Sequence, residues 1–274
     1  MSAVGREYPT MRIRRVGLGL APLLWAGAAL GADGVIEINQ AKALAGGVTS
    51  ADAPGFPVTL VPDTSYVLTS DLVVTNDSNH AIDDVGAGGF GASGTIHVDL
   101  NGFSIRCDNP VPNCGGGFGI GGGIFFDNVR SASIENGSVH HLRGSGIEVR
   151  TRGARIDRVH AYSNGATGIS CGTSCMVTNS TSNENGTGIV VESRSTVLGC
   201  IAEANLSHGI SVGRDSNVRD STSVGNGGNG INLANLGPAP FGYGGNVIVG
   251  NGGTVAASGV QTGTNLCDTD TICP

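Results

Sequence analysis

Aromatic residues are scarce in this 274-residue sequence, with Phe, Trp and Tyr together making up 4% of it. The one Trp, Trp25, lies in an apolar leader, so the chain beyond residue 32 has none. It therefore lacks the rich exposed aromatic platforms that favour stacking of neutral sugars. Lysine is nearly missing as well: Lys42 stands alone, and all other formal positive charge is on Arg. Long amphipathic runs of helix formers are absent, and the segments are crowded instead with Gly, Asn, Ser, Thr and Val, which disfavours helical repeats. Beyond the leader no apolar stretch reaches the roughly 20 residues that a membrane span requires.

Several motif classes are missing too. GAGGFG (86–91) fits G-x-G-x-x-G by letter, but ASGTIHVDL after it reads as strand where a dinucleotide site needs a helix. GGNGIN (227–232) approaches a calcium-binding β-roll repeat once, without its nine-residue period. The close Cys pairs lack paired two-residue spacing and clustered His partners, so zinc is the lesser reading of them. No metal and no cofactor are expected.

The leader itself is informative. Arg12, Arg14 and Arg15 precede an apolar run, Val16–Leu30, that ends in the small residues Gly31 and Ala32. A basic segment, a short apolar run and a small-residue cleavage zone describe a secretory signal peptide over residues 1–32. A membrane anchor is the rival, but Gly and Pro interrupt the run and it is short. The protein is therefore expected to be secreted or to reside in the periplasm or cell envelope. Removing the leader takes four Arg and one Glu, leaving 11 basic against 21 acidic residues. Such an excess of negative charge argues against nucleic-acid partners, which demand a basic face.

Seven cysteines suit export. Cys107 with Cys114, Cys171 with Cys175 and Cys267 with Cys273 is the simplest pairing, although six cysteines allow 15 connectivities. Cys200 is left over.

What the chain has in abundance is Gly, 47 residues, and a repeat. A Gly-Ile step recurs with Ile at 147, 169, 189, 210 and 231, spacings of 20 to 22 residues. Upstream of each step stands another apolar residue: Ile134, Ile156, Val177, Val197 and Val218. Small or apolar positions alternate with polar ones after it, the period-two signature of strands. Eight residues beyond that apolar position come Asn164, Asn185, Asn205 and Asn226. If each repeat is one coil of a solenoid, like residues stack about 4.8 Å apart. Ile and Val then form inward columns, and stacked Asn side chains form a hydrogen-bonded ladder. Gly before Ile supplies either a positive φ or a close backbone approach. Cys200 shares the column of Val159, Ser180 and Ser221, which reads as a small buried residue.

With the Gly-Ile steps, the Asn164–Asn226 ladder and the segment GTIHVDLNGFSIRC (94–107), the sequence resembles the right-handed parallel β-helix proteins of the pectate-lyase-like superfamily. The resemblance covers about residues 57–251 and implies an all-β, single-stranded parallel solenoid. Residues 33–274 are expected to form that one domain, clearest at 130–235, with a C-terminal cap at 236–274. Glu37–Ala45 before Gly46-Gly47 reads as a short N-terminal cap helix. After Ile231 the period fails in NLANLGPAPFGYGG, and NVIVGN is expected to add a last strand.

The chemistry is less specific, since this fold hosts lyases, hydrolases, epimerases and adhesive proteins. Hydrolysis needs carboxylates facing one glycosidic bond. Asp157 and Asp220 are three coils apart, and Asp83-Asp84 lie in an irregular coil. One region does stand out: His140, His141, Arg143, Arg150, Arg152, Arg155, Arg158, His160 and Tyr162, with Arg194 and Arg214 near the phase of Arg150 and Arg152 on later coils. Arg143, Arg150, Arg152, Arg158, His160, Tyr162, Arg194 and Arg214 are the candidate ligand-binding residues. They suit the carboxylates of an acidic polysaccharide or cell-envelope glycan. The plainer reading is a solvated coil edge with incidental Arg. His208 shares its phase with Ser145, Thr167, Thr187 and Asn229, a polar turn position. The leading expectation is a noncatalytic protein with a rigid binding surface. The alternative is a lyase or related enzyme using His, Tyr and Arg on an acidic glycan.

Overall fold

The computed structural model describes residues 34–74, 79–85, 94–107, 121–233, 241–253 and 259–268. The leader, the GAGGFG segment, Cys114 and Cys273 lie outside them.

Among the described residues every strand pairing is parallel, and successive coils stack in register. One sheet contains eight strands, one per coil, from Val58–Leu60 through Ile82–Asp84, Ile124–Phe126, Ile147–Val149, Thr167–Cys171, Thr187–Val191 and Ile210–Val212 to Ile231–Leu233. A larger sheet of 17 strands supplies two short strands to most coils. Met176–Thr178 and Thr181–Asn183 are one such pair. The bend between them puts Asn179 at φ 49°, and the same bend is held at Arg158, Gly199, Asp220 and Gly245 on other rungs, all with positive φ. Each coil is thus a triangle: the eight-strand face, then a first and a second face of the larger sheet.

The inward columns follow the sequence pattern. Val58, Ile82, Ile124, Ile147, Ile169, Ile189, Ile210 and Ile231 are Cα partners rung by rung and essentially buried. On the larger sheet Ile134, Ile156, Val177, Val197 and Val218 form a second buried column, continued by Tyr243. Alternation turns these residues inward and their neighbours outward.

At the corner after the second face runs the Asn ladder. Asn164, Asn185 and Asn205 each donate through backbone N and Nδ2 to the Oδ1 of the next Asn, at 2.8 to 3.3 Å. Nδ2 also donates to a carbonyl of the strand before: Val139 for Asn164, Ala161 for Asn185, Ser182 for Asn205. Buried amides are thereby satisfied at both ends. The ladder continues to Asn251, which accepts from Asn226 across an offset of 25 residues.

The Gly before each Ile serves packing, not a positive φ. A Cβ on Gly209 would fall 2.1 Å from Ser223 Oγ, and one on Gly168 2.5 Å from Asn185 Nδ2. Positive φ is carried by the corners instead, at Ser163, Glu184 and Ala204.

The cap helix is shorter than the sequence suggests. Val35–Ile38 is a strand paired with Thr64–Leu68, and only Gln40–Ala45 is helical, capped by Asn39 and stopped by Gly46 at φ 74°. Gln40 exchanges two hydrogen bonds with Val73, at 3.1 and 2.8 Å, and so occupies the edge of Leu72–Val74. At the far end the expectation is corrected: Gly242–Gly244 already continues the column of Asn217–Arg219, so an insertion lengthens that coil without ending the solenoid. Val247–Val249 is followed by Val260–Gln261 and Leu266–Cys267, which add a further partial coil.

Cys171 and Cys175 form a disulfide across the corner after the eight-strand face. Cys107 and Cys267 are disulfide-bonded as well, and the partners expected for them lie outside the described residues. Cys200 is a buried free thiol whose pKa burial pushes up to about 11. It packs as a small core residue and holds no thiolate at neutral pH.

Candidate functional site

The winding that keeps rungs in register also separates the candidate residues. Within one coil the chain passes Arg150 and Arg152 at a corner, crosses the first face from Arg155, bends at Arg158, and runs along the second face through His160 and Tyr162. Neighbours in sequence thus lie on different sides of the triangle.

His160 and Tyr162 belong to an imidazole and phenol cluster on the outside of the second face. Arg106, His140, Tyr162 and Asn183 stand on four successive rungs of one outward column. The His140 ring stacks on Tyr162 with centroids 4.3 Å apart and planes 12° from parallel. His160 tilts against the same phenol at 4.5 Å, and its Nε2 lies 2.6 Å from Asn183 Oδ1. His141, at the corner, places Nδ1 2.6 Å from His140 Nδ1, so one imidazole donates and the other accepts.

Burial, followed by the neighbouring His141 and Arg106 charges, pushes the His140 pKa down to about 4. His140 is consequently a neutral base at neutral pH. Burial raises the Tyr162 pKa, with Arg106 pulling the other way. A neutral imidazole, a phenol and a guanidinium on one outward column can receive an anionic ligand and exchange a proton with it. Sequence reasoning named His160 and Tyr162 but missed Arg106. The signal was present: aligning Ile105 of GFSIRC with Val139 puts Arg106 directly over His140.

Arg158 has a different task. Its Nη2 bonds Glu135 at 2.7 Å, its Nε bonds Asn136 at 2.7 Å, and Nη1 pairs with Asp157. Those partners tie the bend to the preceding coil. Asp157 is buried, which alone would raise its pKa, but hydrogen bonds from Thr178 and Asn179 and the charges of Arg158 and Arg155 hold it below the ordinary value. Arg143 is exposed at the corner beyond the second face.

Arg150 and Arg152 lie at the corner between the eight-strand face and the first face, in a cleft of about 980 Å³. Arg150 is engaged, 2.7 Å from Glu148 and 5.0 Å over the Phe125 ring, which itself stacks on His80. The backbone bonds from Gly153 to Thr173, Ser174 to Ser193 and Arg194 to Arg214 define the register of this corner. They place Arg152, Thr173, Ser193 and Arg214 in one column, so Arg152 and Arg214 stand three rungs, about 14 Å, apart. The structure therefore divides the candidates among this corner, the bend at Arg158, the second face and the corner beyond it. Among the described residues no cluster of three or more His, Cys, Asp or Glu could hold a metal ion. No helix among them is long and apolar enough to cross a membrane.

Solved structures of similar shape include the Dettilon tailspike protein, with TM-score 0.51 and 15% identity over 70% of this chain and 45% of the tailspike. Another is the A-module of the Azotobacter vinelandii mannuronan C-5 epimerase AlgE4, with TM-score 0.52 and 16% identity over 80% of this chain and 67% of the module. The chain thus spans less than half of the tailspike and about two thirds of the epimerase module, and at these identities the likeness is one of fold. No curated protein sequence matches it. The family model described as "right handed beta helix region" matches residues 118–268, more than half of the sequence. With the in-register columns and the Asn ladder already described, this chain belongs to the right-handed β-helix family.

Proposed function

We propose that the protein, exported by removal of residues 1–32, is a glycan-interacting β-helix that lays an acidic polysaccharide across the outside of its second face. The observation that carries this reading is the column Arg106–His140–Tyr162–Asn183, flanked by His160. It offers a guanidinium for a carboxylate and a partly buried phenol and imidazole surface for a sugar ring. The tailspike and the mannuronan epimerase module share the fold, and the latter's name records action on a polyuronate. The leading form of the proposal is noncatalytic: the face holds the polymer, and the stacked, hydrogen-bonded side chains fix its register.

The test is titration of the mature protein with polyuronates. Arg106→Ala and Tyr162→Ala should each weaken binding about tenfold, as loss of a charge-assisted contact or an aromatic contact does, while Arg214→Ala should leave it unchanged. Retained affinity in both face variants would overturn the proposal.

A second reading is favoured by one observation, the neutral His140 stacked on Tyr162. A base beside a guanidinium is what proton abstraction next to a uronate carboxylate requires. Absorbance of an unsaturated product, appearing above about pH 4 and lost in His140→Gln, would establish a lyase; a flat trace with binding intact leaves the noncatalytic form.

A further inference from the structure

The corner cleft is a separate surface, and its lining is chemically specific. Arg130, Thr151 and Arg152 contribute to it, together with the carboxylates Asp127 and Glu192. Ser133 pairs with Arg155, which sets Arg130 and Arg152, three residues upstream, side by side on adjacent rungs. Both are exposed. Among the described residues neither guanidinium has an ion pair or hydrogen-bond partner, in contrast to Arg150 beside Glu148 and Arg158 beside Glu135. Two like charges one rung apart, about 4.8 Å of rise, repel each other unless an anion lies between them. Thr151 adds an independent sign. The residue lines the cleft at 6% exposure, and its hydroxyl, buried beneath that surface, has no hydrogen-bond partner. A buried hydroxyl without a partner costs on the order of 1–3 kcal/mol, a cost that a ligand oxygen would remove.

We infer that Arg130, Arg152 and Thr151 form a binding site for a tetrahedral oxyanion, the group carried by a sulfate or phosphate ester. The donor count selects that class. A planar carboxylate presents only two oxygens, whereas two forks and a hydroxyl from different directions match the three or four oxygens of a tetrahedral anion. Arg130 comes from an isolated position in the sequence, outside the Arg-rich stretch that starts at Arg143, and only the stacking brings it to Arg152. The site does not depend on the second face, which lies across the first face from it.

The mature protein is titrated calorimetrically with sodium sulfate, sodium phosphate and, at matched ionic strength, sodium acetate. Sulfate or phosphate should bind at least tenfold more tightly than acetate, and the stronger of the two identifies the ester. Arg130→Gln with Arg152→Gln should abolish the preference, and Thr151→Val should reduce it severalfold. Tyr162→Ala should keep it in full, so failure of the second-face reading and failure of this site are told apart. Circular dichroism confirms folding of each variant, and Arg152→Gln alone, at an exposed position, provides a mild check. Equal binding of acetate, or a preference that survives the double Arg variant, would overturn the inference.

Discussion

Asp157 shows what a single side chain does in this fold. It is 2% exposed, accepts hydrogen bonds from Thr178 at 2.6 Å and Asn179 at 3.0 Å, and sits beside Arg155 and Arg158. The bonds run from one coil to the next, so this carboxylate fastens two bends together. Its folded pKa lies below its ordinary value. The stabilisation is accordingly present above that ordinary value and is lost as pH falls through the folded one. Asp157→Ala should cost about 2 kcal/mol at neutral pH, because Thr178 and Asn179 lose a charged acceptor in a buried place. Urea unfolding curves at neutral pH and near pH 3 would show it: the difference between wild type and variant should shrink in acid. Sequence could not assign this role. In the sequence Asp157 reads as one of two acids amid the Arg-rich stretch or as a distant partner of Asp220, since nothing in the string says that it points at Thr178 of the next coil.

At the scale of the element, the corner with the Asn ladder is where packing is least forgiving. Asn185→Ala removes the Oδ1 that accepts from both nitrogens of Asn164, and the Nδ2 that donates to Ala161 and Ser182. A loss of about 3 kcal/mol is expected from groups stranded without water. Gly209→Ala should cost about 2 kcal/mol, because a new methyl meets Ser223 Oγ and the ladder amide of Asn226. Thermal unfolding of the two variants beside wild type checks both, and a neutral Gly209→Ala would mean the corner can open. The ladder was legible in sequence from Asn164 to Asn226 because four repeats of nearly constant length kept their phase. Asn251 was not, because the longer coil before it broke the count. The Gly-Ile step was legible as a pattern but ambiguous in cause: one letter fits both a positive φ and a tight approach, and only the neighbours across the rung decide.

For the whole molecule, contacts are between successive coils, so stability is a sum of rung interfaces. The Cys171–Cys175 disulfide closes a short loop at one corner. Replacing both with Ser should lower stability by about 2 kcal/mol, the loop-closure value for so small a ring. Denaturant midpoints with and without the replacement check this, and an unchanged midpoint would show the corner held by its backbone bonds alone. This scale also explains how much of the site was readable. Phase along the repeat sets Arg194 and Arg214 near Arg150 and Arg152, but phase does not reveal which side of a three-faced coil a residue occupies. The stretch from Arg143 to Tyr162 therefore looked like one basic patch, while its members divide between a cleft, a salt-bridged bend and an imidazole face.

The register of the Ile column has a further consequence. Since every coil advances the backbone by the same step, the separation between any two outward groups is quantised, and Arg152 and Arg214 can be brought nearer or set farther apart only by whole strand spacings. Excising one coil from the middle of the stack would shorten that gap by a single step and leave the chemistry of each end untouched. The windings thereby fix the spacing of every outward group in steps of one strand separation.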